Sequence, residues 1–205
     1  MLGLCKTEYY LIVKSNKKYK DESNRLQIWN YSAPGIYYIT ICTDNREKLF
    51  GYVENGQMVL SDFGQIAKTE ILKIPEYHKR AILDEWVVMP DHIHLLIELG
   101  IWDFNNGMSV IGDAVGQIHE FALQCRFPKP TTEEIKHYRA QRRKMVLFKI
   151  LGKMQMKISI QINVIRNTPG KTNWQSDYYD HVVRDRDDYL RIKNYIIDNP
   201  KNWSK

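Results

Sequence analysis

Between Leu83 and Leu99 the chain reads as one extended strand, an interruption at Pro90-Asp91, and a second extended strand. Along the second strand, side chains two apart share a side, so His92 and His94 project together. Ile93, Leu95 and Ile97 project the other way and can bury that side. Such a strand needs a sheet with a layer packed on its apolar face.

The rest of the chain supplies both. After the Pro34-Gly35 turn, Ile36–Thr43 is a run of β-branched and aromatic residues of strand length. Asn55-Gly56, between Lys48–Val53 and Gln57–Leu60, is a strong hairpin signal. Ser61 or Asp62 caps a helix running to about Leu72, which Pro75 ends. A further helix is expected over Ser109–Phe127 until Pro128-Lys129-Pro130 breaks it, and Thr131-x-x-Glu134 is a capping-box pattern. A last helix runs from Asp185 to Asn199, before Pro200. One stretch admits two readings. Leu147, Leu151, Met154, Ile158, Ile162 and Ile165 recur at helical spacing, yet Ile158, Ile160, Ile162 and Val164 also alternate as in a strand. Its length favours a helix. The expected class is α+β, an antiparallel sheet covered by helices.

At 205 residues the chain holds one well-cored domain. We expect an N-terminal extension or arm over 1–30 and a single domain over 31–205, with an insertion at 128–143. No apolar run approaches the ~18 residues of a membrane span, and the first residues lack a signal-peptide pattern. Cys5, Cys42 and Cys125 are odd in number and widely spaced, which reads as reduced thiols. The expected location is cytoplasmic, associated with the nucleoid.

Charge is distributed unevenly. From Lys136 to Lys171 there are ten Lys or Arg and no acid, although the whole chain holds 30 basic and 24 acidic side chains. All of the positive excess therefore sits in that segment. Clustered cations displace the counterions of a polyanion, so nucleic acid is the expected partner. A solvated basic face is the plainer alternative. Lipid fits less well, because Gln155, Gln161 and Asn163 interrupt the apolar side.

Two imidazoles converging from one strand form half of a divalent-metal site, although His-x-His also suits ordinary hydrogen-bonded histidines. On the last helix, Tyr195 and Asn199 are four apart and share a face, offering a latent nucleophile and a hard amide ligand. A tyrosine among Leu190, Ile192, Ile196 and Ile197 also suits plain core packing.

Four stretches together resemble a known family: Tyr31–Thr43, Val87–Ile97, Trp174–Asp185 and Tyr195–Pro200. In that order and spacing they are similar to the small single-tyrosine transposases of bacterial insertion sequences. The resemblance is particularly to the branch called REP-associated tyrosine transposases, of the His-hydrophobic-His endonucleases. The resemblance covers about residues 25–203. It implies a ferredoxin-like antiparallel sheet, the catalytic Tyr195 on a C-terminal helix, and a Mg²⁺ or Mn²⁺ ion on His92 and His94. It also implies a third polar ligand at the position of Asn199, where many relatives have glutamine. The implied substrate is single-stranded DNA with a hairpin beside the cut, handled by a monomer or a homodimer. Tyr195 would form a 5′-phosphotyrosine and release a 3′-hydroxyl, so the bond energy is kept for strand transfer.

Lys149, Lys153 and Lys157, with Arg142 and Arg143 of the same basic segment, are candidates to track phosphates. Trp174, Tyr178 and Tyr179 are candidates to stack bases, with core packing the alternative for each. His181 and Arg184 are candidate phosphate contacts. Rival readings are a rolling-circle replication nuclease of the same motif class and a domesticated, non-catalytic nucleic-acid-binding protein.

Overall fold

A computed structural model describes residues 29–103, 108–110 and 132–203. The strand of the opening motif is the second arm of a tight hairpin. β4 (Ala81–Met89) turns through Pro90-Asp91 into β5 (His92–Leu99), with Met89 opposite His92. The turn is held by the rest of the fold, since the Phe50 and Thr43 amides donate to the carbonyls of Pro90 and Asp91 at 3.0 and 2.9 Å.

β1 (Gly35–Cys42) pairs antiparallel with β5 on one side and with β8 (Tyr179–Val182) on the other. The sheet order is β4-β5-β1-β8. Between β1 and β4 the chain forms the hairpin β2 (Gly51–Glu54) and β3 (Gln57–Leu60), helix α1 (Asp62–Leu72) and one helical turn, α2 (Ile74–Tyr77). After β5 come the short paired strands β6 (Ile101–Asp103) and β7 (Met108–Val110), then helices α3 (Thr132–Arg142) and α4 (Val146–Ile165). Helix α5 (Arg186–Asp198) follows β8. Two interleaved strand-helix-strand units, β1-α1-β4 and β5-α4-β8, thus build one antiparallel sheet in the ferredoxin-like order.

The sheet has two unlike faces. Tyr37, Ile39, Ile41, Ile93, Leu95 and Ile97 meet α1 and α4 in the larger core cluster. Ile36, Tyr38, Leu96 and Val183 meet Ile192 and Ile196 of α5 on the other face. His92 and His94 alternate with the core residues of β5 and therefore belong to the α5 face.

Burial decides the ambiguous segment. Leu147, Ile150, Leu151, Met154, Ile158 and Ile162 are each 0% exposed, whereas Ile160 and Val164 are 56% and 75% exposed. A strand would have had to bury Ile158, Ile160, Ile162 and Val164 on one side. The helix buries six side chains, each worth about 1.5–3 kcal/mol on transfer from water, and leaves Ile160 and Val164 outside. Asn55 and Gly56 take φ 50° and 73°, as the primed turn joining β2 and β3 requires. Ser61 caps α1 by accepting from the Gly64 amide at 3.2 Å.

Some expectations are corrected. Pro75 does not simply end a helix: it sits in the first turn of α2, where its missing N–H costs nothing. Ser109 and Val110 begin no helix but pair with Trp102 and Ile101. β8 went unread because four residues with two polar side chains carry little periodic signal. Within the expected insertion, 132–142 form α3, whose Tyr138 hydroxyl accepts from the Trp29 amide at 3.1 Å. The expected arm, apart from its last two residues 29–30, lies outside the described residues, as do residues 111–131 with most of the expected Ser109–Phe127 helix. Cys42 is a free thiol, and Cys5 and Cys125 lie outside the described residues. No helix among the described residues is long and apolar enough to cross a membrane.

Candidate functional site

His92 and His94 lie on an interior strand and are 7% and 3% exposed. Their rings meet edge to face at 4.6 Å between centroids, and the two Nε2 atoms are 3.0 Å apart. Each outer nitrogen has its own partner. His92 Nδ1 lies 2.5 Å from Asp91 Oδ1. Burial pushes the Asp91 carboxyl up, but the hydrogen bond and charge of His92, then Arg46, hold it below the usual range. An ionised carboxylate only accepts, so Nδ1 carries the His92 proton and Nε2 keeps a lone pair when the ring is neutral.

His94 Nδ1 faces the hydroxyls of Tyr38 at 2.9 Å and Thr40 at 2.8 Å. Burial, then the charges of His92 and Arg46, push the His94 pKa well below the ordinary imidazole value. A neutral His94 can place its proton on either nitrogen, because a hydroxyl both donates and accepts.

Tyr195 arrives from α5. Its ring is 5.3 Å from that of His94 and 6.3 Å from that of Tyr38, and the residue is 46% exposed. This follows from the helix pattern: Ile192 and Ile196 are buried against the sheet, and Tyr195 sits beside that stripe, at its edge. Asn199, one turn on, is the C-cap and is buried. Trp203 then brings its ring to 5.7 Å from His92.

Helix α5 is tied to both edge strands. Lys193 Nζ donates to Asp84 Oδ1 at 2.6 Å, where β4 bulges between Leu83 and Glu85. At the other edge, His181 Nε2 of β8 lies 2.6 Å from Asp188 Oδ2. Burial pushes Asp188 up, but the His181 hydrogen bond and charge, with Arg191 and the Arg184 amide, carry it below the usual carboxylate range.

The other candidates divide. Tyr179 and His181 pair with Thr40 and Tyr38 and share the histidine face, and Arg184 is exposed just beyond β8. Trp174 is a core residue, 9% exposed, with its indole N–H donating to Ser159 Oγ at 2.9 Å. Tyr178 packs on Phe148 at 5.7 Å and is half-buried. Lys149, Lys153 and Lys157 lie on α4, on the layer opposite the histidines. Lys157 is 3.7 Å from Glu70, and Lys153 and Lys157 sit over the Tyr77 ring at 4.5 and 5.1 Å. Arg142 covers the Phe148 ring at 5.1 Å, and Arg143 is exposed in the turn before α4.

Tyr38, Thr40, Asp91, Arg46 and Trp203 went unselected in sequence. Asp91 had a signal, since it precedes His92 directly. Tyr38 and Thr40 had only their shared side of β1, which means nothing until β1 is known to pair with β5. No set of three His, Cys, Asp or Glu side chains placed to hold a metal occurs among the described residues. An ion on the two histidines would need oxygen from an amide, water or substrate to complete its shell.

No known protein-family profile matches the chain. An uncharacterised protein of Haemophilus influenzae is 31% identical over 188 residues, spanning 89% of each chain. The chain belongs to that protein's family. Among solved structures, a REP-associated tyrosine transposase bound to a REP hairpin is similar at 18% identity and TM-score 0.45, over 90% of this chain and 76% of that one.

Proposed function

We propose that the protein is a metal-assisted endonuclease and strand transferase for single-stranded DNA, with Tyr195 as nucleophile. One observation carries the reading: two imidazole nitrogens face each other at 3.0 Å beneath an accessible tyrosine on a helix anchored at both edges of the sheet. The family resemblance of the four sequence stretches supports it, and hairpin-bearing DNA is the substrate that this resemblance implies.

The donor set fits a divalent cation. Two neighbouring ligands about 2.1 Å from an ion, at right angles, are about 3 Å apart. Asp91 keeps the His92 lone pair turned inward, and the Tyr38 and Thr40 hydroxyls can accept the His94 proton so that its Nε2 is free as well. Asn199 is the proposed third protein ligand. A bound Mg²⁺ or Mn²⁺ would neutralise phosphate charge and orient the scissile group.

The tyrosine's task is then defined. Its oxygen attacks phosphorus in line with the 3′-oxygen, the phenolic proton leaves to solvent, and the 3′-oxygen departs to become a hydroxyl. A phosphodiester replaces a phosphodiester, so another 3′-hydroxyl can reverse the step. A phenol ordinarily titrates at about pH 10, so at neutral pH it is a weak nucleophile and attack needs the site to hold phosphate beside it. His181 and Arg184 are proposed phosphate contacts and Tyr179 a base contact, all on the Tyr195 side.

The test is a labelled single-stranded hairpin oligonucleotide incubated with Mn²⁺ and resolved under denaturing conditions. Wild-type protein yields a covalent adduct and Tyr195→Phe yields none. An adduct that persists in Tyr195→Phe, or maps to Tyr179 or Tyr189, removes the assignment.

A further inference from the structure

Arg46 lies on the outer side of the Asp91–His92 pair. Its Nη1 is 3.5 Å from Asp91 Oδ1, the same oxygen that His92 Nδ1 contacts at 2.5 Å. Asp91 is thus already engaged in orienting His92, and the Arg46 side chain stays 51% exposed. An exposed ion pair of that length returns little stability.

The backbone nevertheless goes to some trouble to place it. Asn45 and Arg46 are consecutive non-glycine residues in the left-handed region, at φ 50° and 57°. Such residues persist when their surroundings over-determine them, and here they do. The buried Thr43 hydroxyl donates to the carbonyls of Glu47 and Asp91 at 2.8 and 2.9 Å. The Asp44 amide donates to Asn173 at 3.0 Å, and Glu47 is held by Arg166 at 3.0 Å. The loop is a clamped bracket that carries one half-exposed guanidinium next to the histidine pair. The lysines of α4 cannot serve here, because they occupy the opposite layer.

We propose that Arg46 is a phosphate-gripping residue of the site, taking a non-bridging oxygen of a single-stranded DNA phosphodiester beside the histidines. Guanidinium suits this because its planar fork can hold the phosphate and keep its contact with Asp91. The inference rests on the nuclease reading for its substrate, but its test does not need cleavage.

In a Tyr195→Phe background, affinity for a labelled single-stranded hairpin oligonucleotide is measured by anisotropy over a range of salt, with and without Arg46→Gln. Losing one single-strand phosphate contact lowers the slope of log affinity against log salt by about 0.7. Arg46→Lys keeps the slope near the parent value. Mn²⁺ binding, followed by electron paramagnetic resonance, is undiminished in Arg46→Gln, since losing a neighbouring cation by itself favours another cation and weakening could come only from a disturbed Asp91–His92 pair. An unchanged slope, or Mn²⁺ binding weakened tenfold, makes Arg46 a prop for Asp91 and overturns the proposal. Absence of an adduct with wild-type protein would instead overturn the nuclease reading, and the slope would still decide Arg46.

Discussion

At His94 the hydroxyls of Tyr38 and Thr40 converge on Nδ1, and they also touch each other, with Thr40 Oγ1 donating to Tyr38 Oη at 3.1 Å. A ligating Nε2 requires the proton on Nδ1, so one hydroxyl must accept it in a site with almost no water access. Removing either leaves the other. Removing both, in Tyr38→Phe/Thr40→Val, leaves a buried N–H without an acceptor whenever Nε2 ligates. We expect the double variant to bind Mn²⁺ about 10–100-fold more weakly, and each single variant to lose less than the double. Equal Mn²⁺ affinity in wild type and double variant, by paramagnetic titration, would show that these hydroxyls do not serve a metal ligand. At this scale alternation is local and put His92 and His94 on one side of their strand, whereas the choice of Tyr195 among thirteen tyrosines came from the family resemblance and not from spacing. It concealed Tyr38, Thr40 and Arg46, because a residue type says nothing about which strand becomes its neighbour.

Helix α5 is the element on which the proposed chemistry depends, and its own sequence specifies much of it. Asp185 caps it by accepting from the Asp188 amide at 2.8 Å, and Ile192 and Ile196 form its buried stripe. Its position over the sheet rests on the two edge contacts, Lys193–Asp84 and Asp188–His181. Because the Asp188 carboxyl titrates lower when folded than when unfolded, it contributes stability that is fully present above about pH 4 and lost as pH falls through the folded value. Asp188→Asn should therefore cost about 1–2 kcal/mol near neutral pH, with the difference from wild type shrinking below about pH 4. Urea midpoints measured across that range check it, and a constant difference down to acid pH would mean the carboxylate charge is irrelevant to docking. β8, which supplies His181, shows the limit of local reading: it is a strand because β1 offers an edge, and Tyr179–Val182 alone would not announce it.

The molecule as a whole presents two functional-looking sides: the histidines and Tyr195 on one face of the sheet, and the basic helix α4 packed on the other. If α4 grips DNA, the strand must reach round the domain. Lys157 is committed to Glu70, whose carboxyl is pushed up by burial yet held low by Lys73, Gln161 and Lys157. We therefore expect Lys149→Gln/Lys153→Gln/Lys157→Gln to lower the salt slope by about 1.4, two single-strand contacts, with adduct formation at saturating DNA unchanged. An unchanged slope in a folded triple variant would make α4 a solvated face. Periodicity, capping residues and the Pro90-Asp91 break were sufficient to foresee the strands β4 and β5 with the break between them, the shared side of His92 and His94, and helices α1, α4 and α5, but not that the two strands pair. These depend on interactions within a few residues. Which residues surround the histidines, why Trp174 is core, and why the lysines stand on the far side were decided only by the fold. Strand pairing and helix docking bring together segments far apart in the chain, and the choice among them is made by the burial of the entire core.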